Sequence, residues 1–179
     1  MKSYLLSATL IFFFSSQLWA QTDKGNVLIG GSFSIKNTSS LGEGTFYLGL
    51  FPDVGYFVID NLAVGAYLPI STNRAPQYST TNIGLSPFAR YYFYAMERAR
   101  IFGEAELGIR SWTSSVRGDK ESQTGRKAGL GLGLAYFLRS MIALETSLNL
   151  QRTSWSESPT ETEFGLRVGL QIYLDSLSK

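Results

Sequence analysis

The sequence predicts an all-β protein, an eight-stranded antiparallel up-and-down transmembrane β-barrel. Three observations carry this reading. Eight segments alternate apolar with small or polar residues at the two-residue period of a strand, and each has about the 9–11 residues that a tilted strand needs to cross a bilayer. The polar rows are sparse and rich in glycine, with isolated charges, so they leave space where a water-facing surface would need side chains. The connections alternate short and long, as hairpins strung between two rims require.

Residues 1–20, MKSYLLSATLIFFFSSQLWA, begin with Lys2, run apolar and uncharged from Tyr4 to Phe14, and end on the small Ala20. A secretory leader cut between Ala20 and Gln21 is expected. The apolar run is short for a membrane-spanning helix, which needs about 20 residues. No Cys follows the cut, so a lipid anchor on an N-terminal Cys is excluded for the mature chain. The barrel is expected over residues 21–174, with 175–179 as a short tail.

The first strand, 26–36, sets Val27, Ile29, Phe33 and Ile35 against Gly30, Ser32 and Ser34. The second, 45–58, has Phe46, Leu48, Leu50, Val54, Tyr56 and Val58 on one face, and the third, 62–70, has Leu62, Val64, Ala66 and Leu68. In the fourth, reaching from Ile83 to Tyr94, Pro87, Ala89, Tyr91 and Phe93 oppose Ser86, Phe88, Arg90, Tyr92 and Tyr94. The fifth, 100–112, sets Ile101, Ala105, Leu107 and Ile109 against Phe102, Glu104, Glu106, Gly108 and Arg110. The sixth, 126–138, alternates Leu130, Leu132 and Leu134 with Lys127, Gly129, Gly131 and Gly133. The seventh, 141–152, opposes Ile142, Leu144, Leu148 and Leu150 to Glu145, Ser147, Asn149 and Gln151. The eighth, 163–174, opposes Phe164, Leu166, Val168, Leu170 and Ile172 to Gly165, Arg167, Gly169, Gln171 and Tyr173. Aromatics toward strand ends, among them Phe46, Tyr56, Tyr91, Phe93, Tyr136 and Phe164, fit girdles at membrane interfaces.

Tight turns are expected around 59–61, 96–98 and 139–140. Longer polar loops are expected at 37–44, 71–82, 113–125 and 153–162, where Ser, Thr, Asn, Gly and Pro concentrate. Antiparallel partners across the 96–98 turn must share a face. Pairing Ala95 with Ala99 sets Arg90 opposite Glu104, and a slip of two sets it opposite Glu106. Either way Arg90 points into the barrel while Tyr91 and Phe93 point at lipid.

Composition narrows the alternatives. There is no Cys and no His, so disulfides are absent and the commonest general base and metal ligand are missing. The formal charge is +2, and +1 once Lys2 leaves with the leader, which gives no argument for nucleic acid. Mean hydropathy is +0.01, and beyond the leader no uncharged apolar stretch is long enough for a spanning helix.

The stretches FPDVGYFVIDNLAVGAYL (51–68), LSPFARYYFY (85–94) and GLGLAYFLRSMIALETSL (131–148) resemble the small eight-stranded outer-membrane barrels grouped around OmpX and the OmpA transmembrane domain. The resemblance covers about Gly25 to Leu174. It implies the bacterial outer membrane, contact with its lipid and with the barrel-insertion machinery, and no cofactor. Chains of this group usually end on an aromatic residue, whereas here five residues follow Leu174, with Tyr173-Leu174 standing where that signal would be.

Arg90, Glu104, Glu106, Arg110, Glu145 and Arg167 are expected to form a structural charge network inside the barrel, three carboxylates against three guanidiniums. Phe88, Tyr92, Phe102, Trp112 and Phe137 are expected to block the bore further. No catalytic or metal-binding residue is expected, and the function expected is structural or surface-interacting. Loops 71–82 and 113–125 offer a surface to an extracellular partner, Trp155 is expected in the upper girdle, and a monomer is the expected state. The alternatives are a narrow channel for small solutes, a His-free outer-membrane enzyme, and a soluble lipocalin-like binder with its leucine face inward.

Overall fold

The computed structural model describes residues 20–40, 43–75, 78–116 and 119–175; the expected leader, apart from Ala20, and residues 176–179 lie outside these. Behind a short 3-10 turn, Ala20–Thr22, come nine strands: β1 (Val27–Ser40), β2 (Glu43–Ile59), β3 (Leu62–Tyr67), β4 (Ile70–Ala75), β5 (Tyr78–Ala95), β6 (Ala99–Val116), β7 (Asp119–Arg139), β8 (Ile142–Trp155) and β9 (Glu161–Leu174). All pairings are antiparallel. β3 and β4 both lie between β2 and β5, so they are two halves of one stave, and β1 pairs with β9 to close a ring of eight staves.

The expected third strand, 62–70, is thus interrupted at Leu68-Pro69 and resumes as β4. Pro69 has no N–H to give a ladder. The gap is bridged by its neighbours: Leu68 N donates to Pro52 O and Gly84 N donates to Pro69 O, both at 2.9 Å.

The wall is apolar outside and charged inside. Phe33 and Phe164 are each 72% exposed and Leu130 is 65% exposed, while Arg90 is only 3% exposed. Such rows of bare leucine and phenylalanine match a lipid-facing surface. A soluble binder would need the reverse, so that alternative fails.

One rim carries three tight hairpins, β2–β3, β5–β6 and β7–β8. The first turns at Asp60-Asn61, with Asn61 in the left-handed region at φ 64°. Each has a β-bulge in its first strand, at Val58, Phe93 and Leu138. A bulge adds one residue and leaves two successive side chains on the same face. Tyr94, placed inward by strict alternation, therefore faces outward with Phe93; they are 56% and 53% exposed. Ala95 pairs with Arg100, not with Ala99, and beyond the bulge Tyr92 faces Phe102 and Arg90 faces Glu104 directly.

The opposite rim corrects the expected loops. Pairing continues to Ser40↔Glu43, Ala75↔Tyr78 and Val116↔Asp119, so 37–44, 71–82 and 113–125 are mostly tall hairpin arms. Only 153–162 makes a longer excursion, after Thr153↔Glu161. Ladder hydrogen bonds need no lipid, and arms rich in Thr and Ser can stay extended once in water. Their polarity marks the end of the apolar band and not the end of pairing.

The seam between β1 and β9 is shorter than the others. Among the described residues it runs only from Val27↔Leu174 to Ser32↔Gly169, while β1 continues along β2 and β9 along β8. At the turn rim the bore is packed with Leu28, Phe57, Tyr92, Phe102, Phe137 and Tyr173. Tyr173 is thereby an inward residue, 1% exposed. Residues Gln21 and Thr22 are buried at the same end, and Thr22 Oγ1 is 2.7 Å from Asn61 Oδ1.

Candidate functional site

Inward positions on five staves converge at the middle of the barrel. Arg90 on β5 is the hub. Its Nε donates to Glu104 Oε2 at 2.8 Å, its Nη1 to both oxygens of Glu145 at 3.1 and 2.9 Å, and its Nη2 to the Tyr67 hydroxyl at 2.7 Å. Tyr67 donates in turn to Glu104 Oε2 at 2.8 Å, and Tyr173 donates to Glu145 Oε1 at 2.7 Å. The guanidinium lies 4.4 Å from the centroid of the Phe102 ring and 5.3 Å from that of Phe88. A planar cation with five donors suits such a position, because charged, phenolic and aromatic partners can all be met at once. Buried charges left without partners would be costly.

A second cluster adjoins it. Lys127 Nζ lies 3.0 Å from Glu106 Oε1, and Arg167 reaches between Glu104 at 3.8 Å and Glu106 at 4.0 Å, over the Tyr67 ring. Asp53 on β2 accepts a hydrogen bond from Gln171 Nε2 on β9, tying the first stave's neighbours across the bore.

Of the six residues expected to group together, five do. Arg110 does not: it pairs with Glu163 at 3.7 Å, where the two side chains are 18% and 58% exposed. It stands four residues beyond Glu106, about 13 Å along a strand, too far for the central carboxylates. Lys127 takes the place given to Arg110. It sits on the inward row of β7, two residues before Gly129, which pairs with Glu106; that register is the signal that identifies it. Asp53, Gln171 and the hydroxyls of Tyr67, Tyr92 and Tyr173 are likewise inward positions whose polar ends give no periodic signal of their own.

Two cavities of about 410 and 400 Å³ occupy the loop half of the bore and share Tyr47, Arg110 and Glu163. Trp112 lines the second cavity and so lies above the plug it was expected to join. Trp155 stands against Gly125, donates to Glu161 Oε2 at 3.3 Å, and lines that same cavity instead of a lipid-facing girdle. Beside Asp53, Arg90, Glu145, Arg167 and Gln171 the free space is about 20 Å³. A single water needs roughly that volume.

The chemistry available is that of a brace. Glu104, Glu106 and Glu145 each face a cation within 4.0 Å, and among the described residues no three His, Cys, Asp or Glu side chains are placed to hold a metal ion.

A family model described as "Outer membrane protein beta-barrel domain" matches residues 6–171. Among solved structures, Neisserial surface protein A (NspA) is similar with a TM-score of 0.65 at 17% identity, covering 83% of this chain and 97% of its own. The N-terminal β-barrel domain of Pseudomonas aeruginosa OprF is similar with a TM-score of 0.54 at 16% identity, over 84% of this chain and 98% of its own. OprG from the same organism gives 0.52 at 14% identity, over 87% and 99%. At such identities the likeness carries the fold. Among curated proteins, none matches the chain by sequence.

Proposed function

Since the chain belongs to the outer membrane protein β-barrel domain family, and so to the bacterial outer membrane, we propose that it is a closed, non-catalytic barrel whose task is structural or lies at the cell surface. The observation that supports this best is the bore itself. The bonds of Arg90 to Glu104, Glu145 and Tyr67 span the middle, and the aromatic layer fills the turn rim. In this reading the ion pairs serve as a structural plug, and neither a solute channel nor an active site is formed there.

The leader is removed after Ala20, leaving the barrel over 21–174 and a tail over 175–179. The barrel-insertion machinery then places the monomer with its tight turns in the periplasm and its tall hairpins outside, the orientation of such barrels. The arms 71–82 and 113–125 present the surface to an extracellular partner. Protease added to intact cells tests the orientation. Cleavage is expected at Lys120 or Arg152, on the tall-hairpin side. Cleavage at Arg98 or Arg139 in sealed cells would invert the topology. Shortening both arms should leave the barrel folded and abolish capture of partners from intact cells; capture unchanged by the shortening would contradict the surface role.

A further inference from the structure

The upper part of the β1–β9 seam lies within the apolar band yet carries no ladder. Above Ser32↔Gly169 the two strands part, although their outward residues there, Phe33, Val168, Leu166 and Phe164, are all apolar and exposed, three of them among the most exposed of the wall. In hydrocarbon an unpaired backbone group costs several kcal/mol, so a bare split at this depth would be unfavourable. Among the described side chains none closes the split either. The cavity of about 410 Å³ runs through it, lined by Ser32 and Phe33 of β1, Phe164 to Val168 of β9 and, inside, Arg110. A Cβ added at Gly165, which faces this space, would meet no heavy atom within 4 Å. That volume is within the usual range of small-molecule sites, about 300–1,000 Å³.

The lining has two characters. The outer mouth is aromatic and aliphatic, and the inner end carries two guanidiniums. Arg110 and Arg167 make only long ion contacts, 3.7 Å and beyond, and both side chains are partly exposed, at 18% and 20%. Glu163 is the carboxylate at this end, but it is 58% exposed and can turn outward. We propose that the split seam is a binding site for a long-chain fatty-acid type of amphiphile entering from the lipid phase. Its carboxylate meets Arg110, with Arg167 deeper in the lining of the same cavity, and its chain lies out along Phe33, Phe164 and Leu166. A charge-assisted pair with a guanidinium favours an anionic head. Two arginines lining the inner end of an apolar slot disfavour a neutral one.

The barrel purified from outer membranes, in nanodiscs of zwitterionic lipid, is titrated with stearic acid bearing a nitroxide near the carboxyl. Quenching of Trp112 and Trp155, which line the adjoining cavity, is read. The site predicts saturable quenching that is absent with the methyl ester and weaker when the nitroxide is moved to the chain's far end. Arg110→Gln and Gly165→Leu should each weaken binding by about ten-fold, the loss of one charged hydrogen bond or of the space itself, while both variants keep the folded gel mobility. Equal quenching by acid and ester, or non-saturating quenching unchanged in both variants, would overturn the proposal.

Discussion

Arg90 is fixed by two carboxylates and two phenols, and it is nine-tenths or more buried, so its charge cannot be removed quietly. In Arg90→Leu both Glu104 and Glu145 lose their nearest cation inside a low-dielectric bore. Breaking a buried pair typically costs about 3–5 kcal/mol, and that loss is expected in a urea titration at neutral pH in a fixed detergent. Adding Glu104→Gln and Glu145→Gln should recover part of it, because the stranded charges are then gone. Arg110 supplies the contrast. Its pair with Glu163 is long and partly solvated, so Arg110→Leu should change stability by only about 0–1 kcal/mol. A stable Arg90→Leu, or an Arg110→Leu that costs as much, would show that the hub has been misplaced.

At the scale of strands, the glycines show where staves touch. A Cβ at Gly65 of β3 would collide with Val54 O and lie 2.7 Å from Gly55 Cα, both backbone atoms that cannot swing aside. Gly65→Ala should cost about 1–3 kcal/mol, as overpacking does, whereas Gly165→Ala, with open space around it, should stay within about 0.5 kcal/mol. Chemical unfolding of the two variants side by side reads the difference. The same scale explains what could be read from the sequence. The faces of most strands and the Arg90–Glu104 pair follow from a period of two and one turn length, so residue order alone gives them. The bulges at Val58, Phe93 and Leu138 do not alter composition, and the one at Phe93 alone turned Tyr94 outward and moved the partner of Ala95. The tall hairpins escaped because Thr and Ser stretches such as 78–82 read as loop by polarity, although they pair as strand. Lys127 escaped because identifying it needs the β6–β7 register, which lies across a long connection where turn length gives no constraint.

For the whole molecule, closure and filling are separate properties. Closure leaves every stave paired on both sides at the turn rim, and among the described residues the β1–β9 seam, six residue pairs from Val27↔Leu174 to Ser32↔Gly169, is the shortest ladder between staves once β3 and β4 are taken as one stave. Closed pairing resists detergent, so unheated protein should migrate differently from boiled protein in SDS gels; identical migration would mean the ring does not persist. Filling depends on the layered interior: aromatic rings at the turn rim, the Arg90 and Lys127 clusters above them, and, among the described residues, two open cavities in the loop half. Eight-stranded barrels have interiors that side chains can fill, and here the middle retains room for roughly one water. The most direct test of this account is conductance across a planar bilayer containing the folded, heat-modifiable protein. A filled bore predicts no steady ion current above the bare membrane. A stable open channel in the parent protein, with Arg90 and its carboxylates intact, would contradict the filled bore.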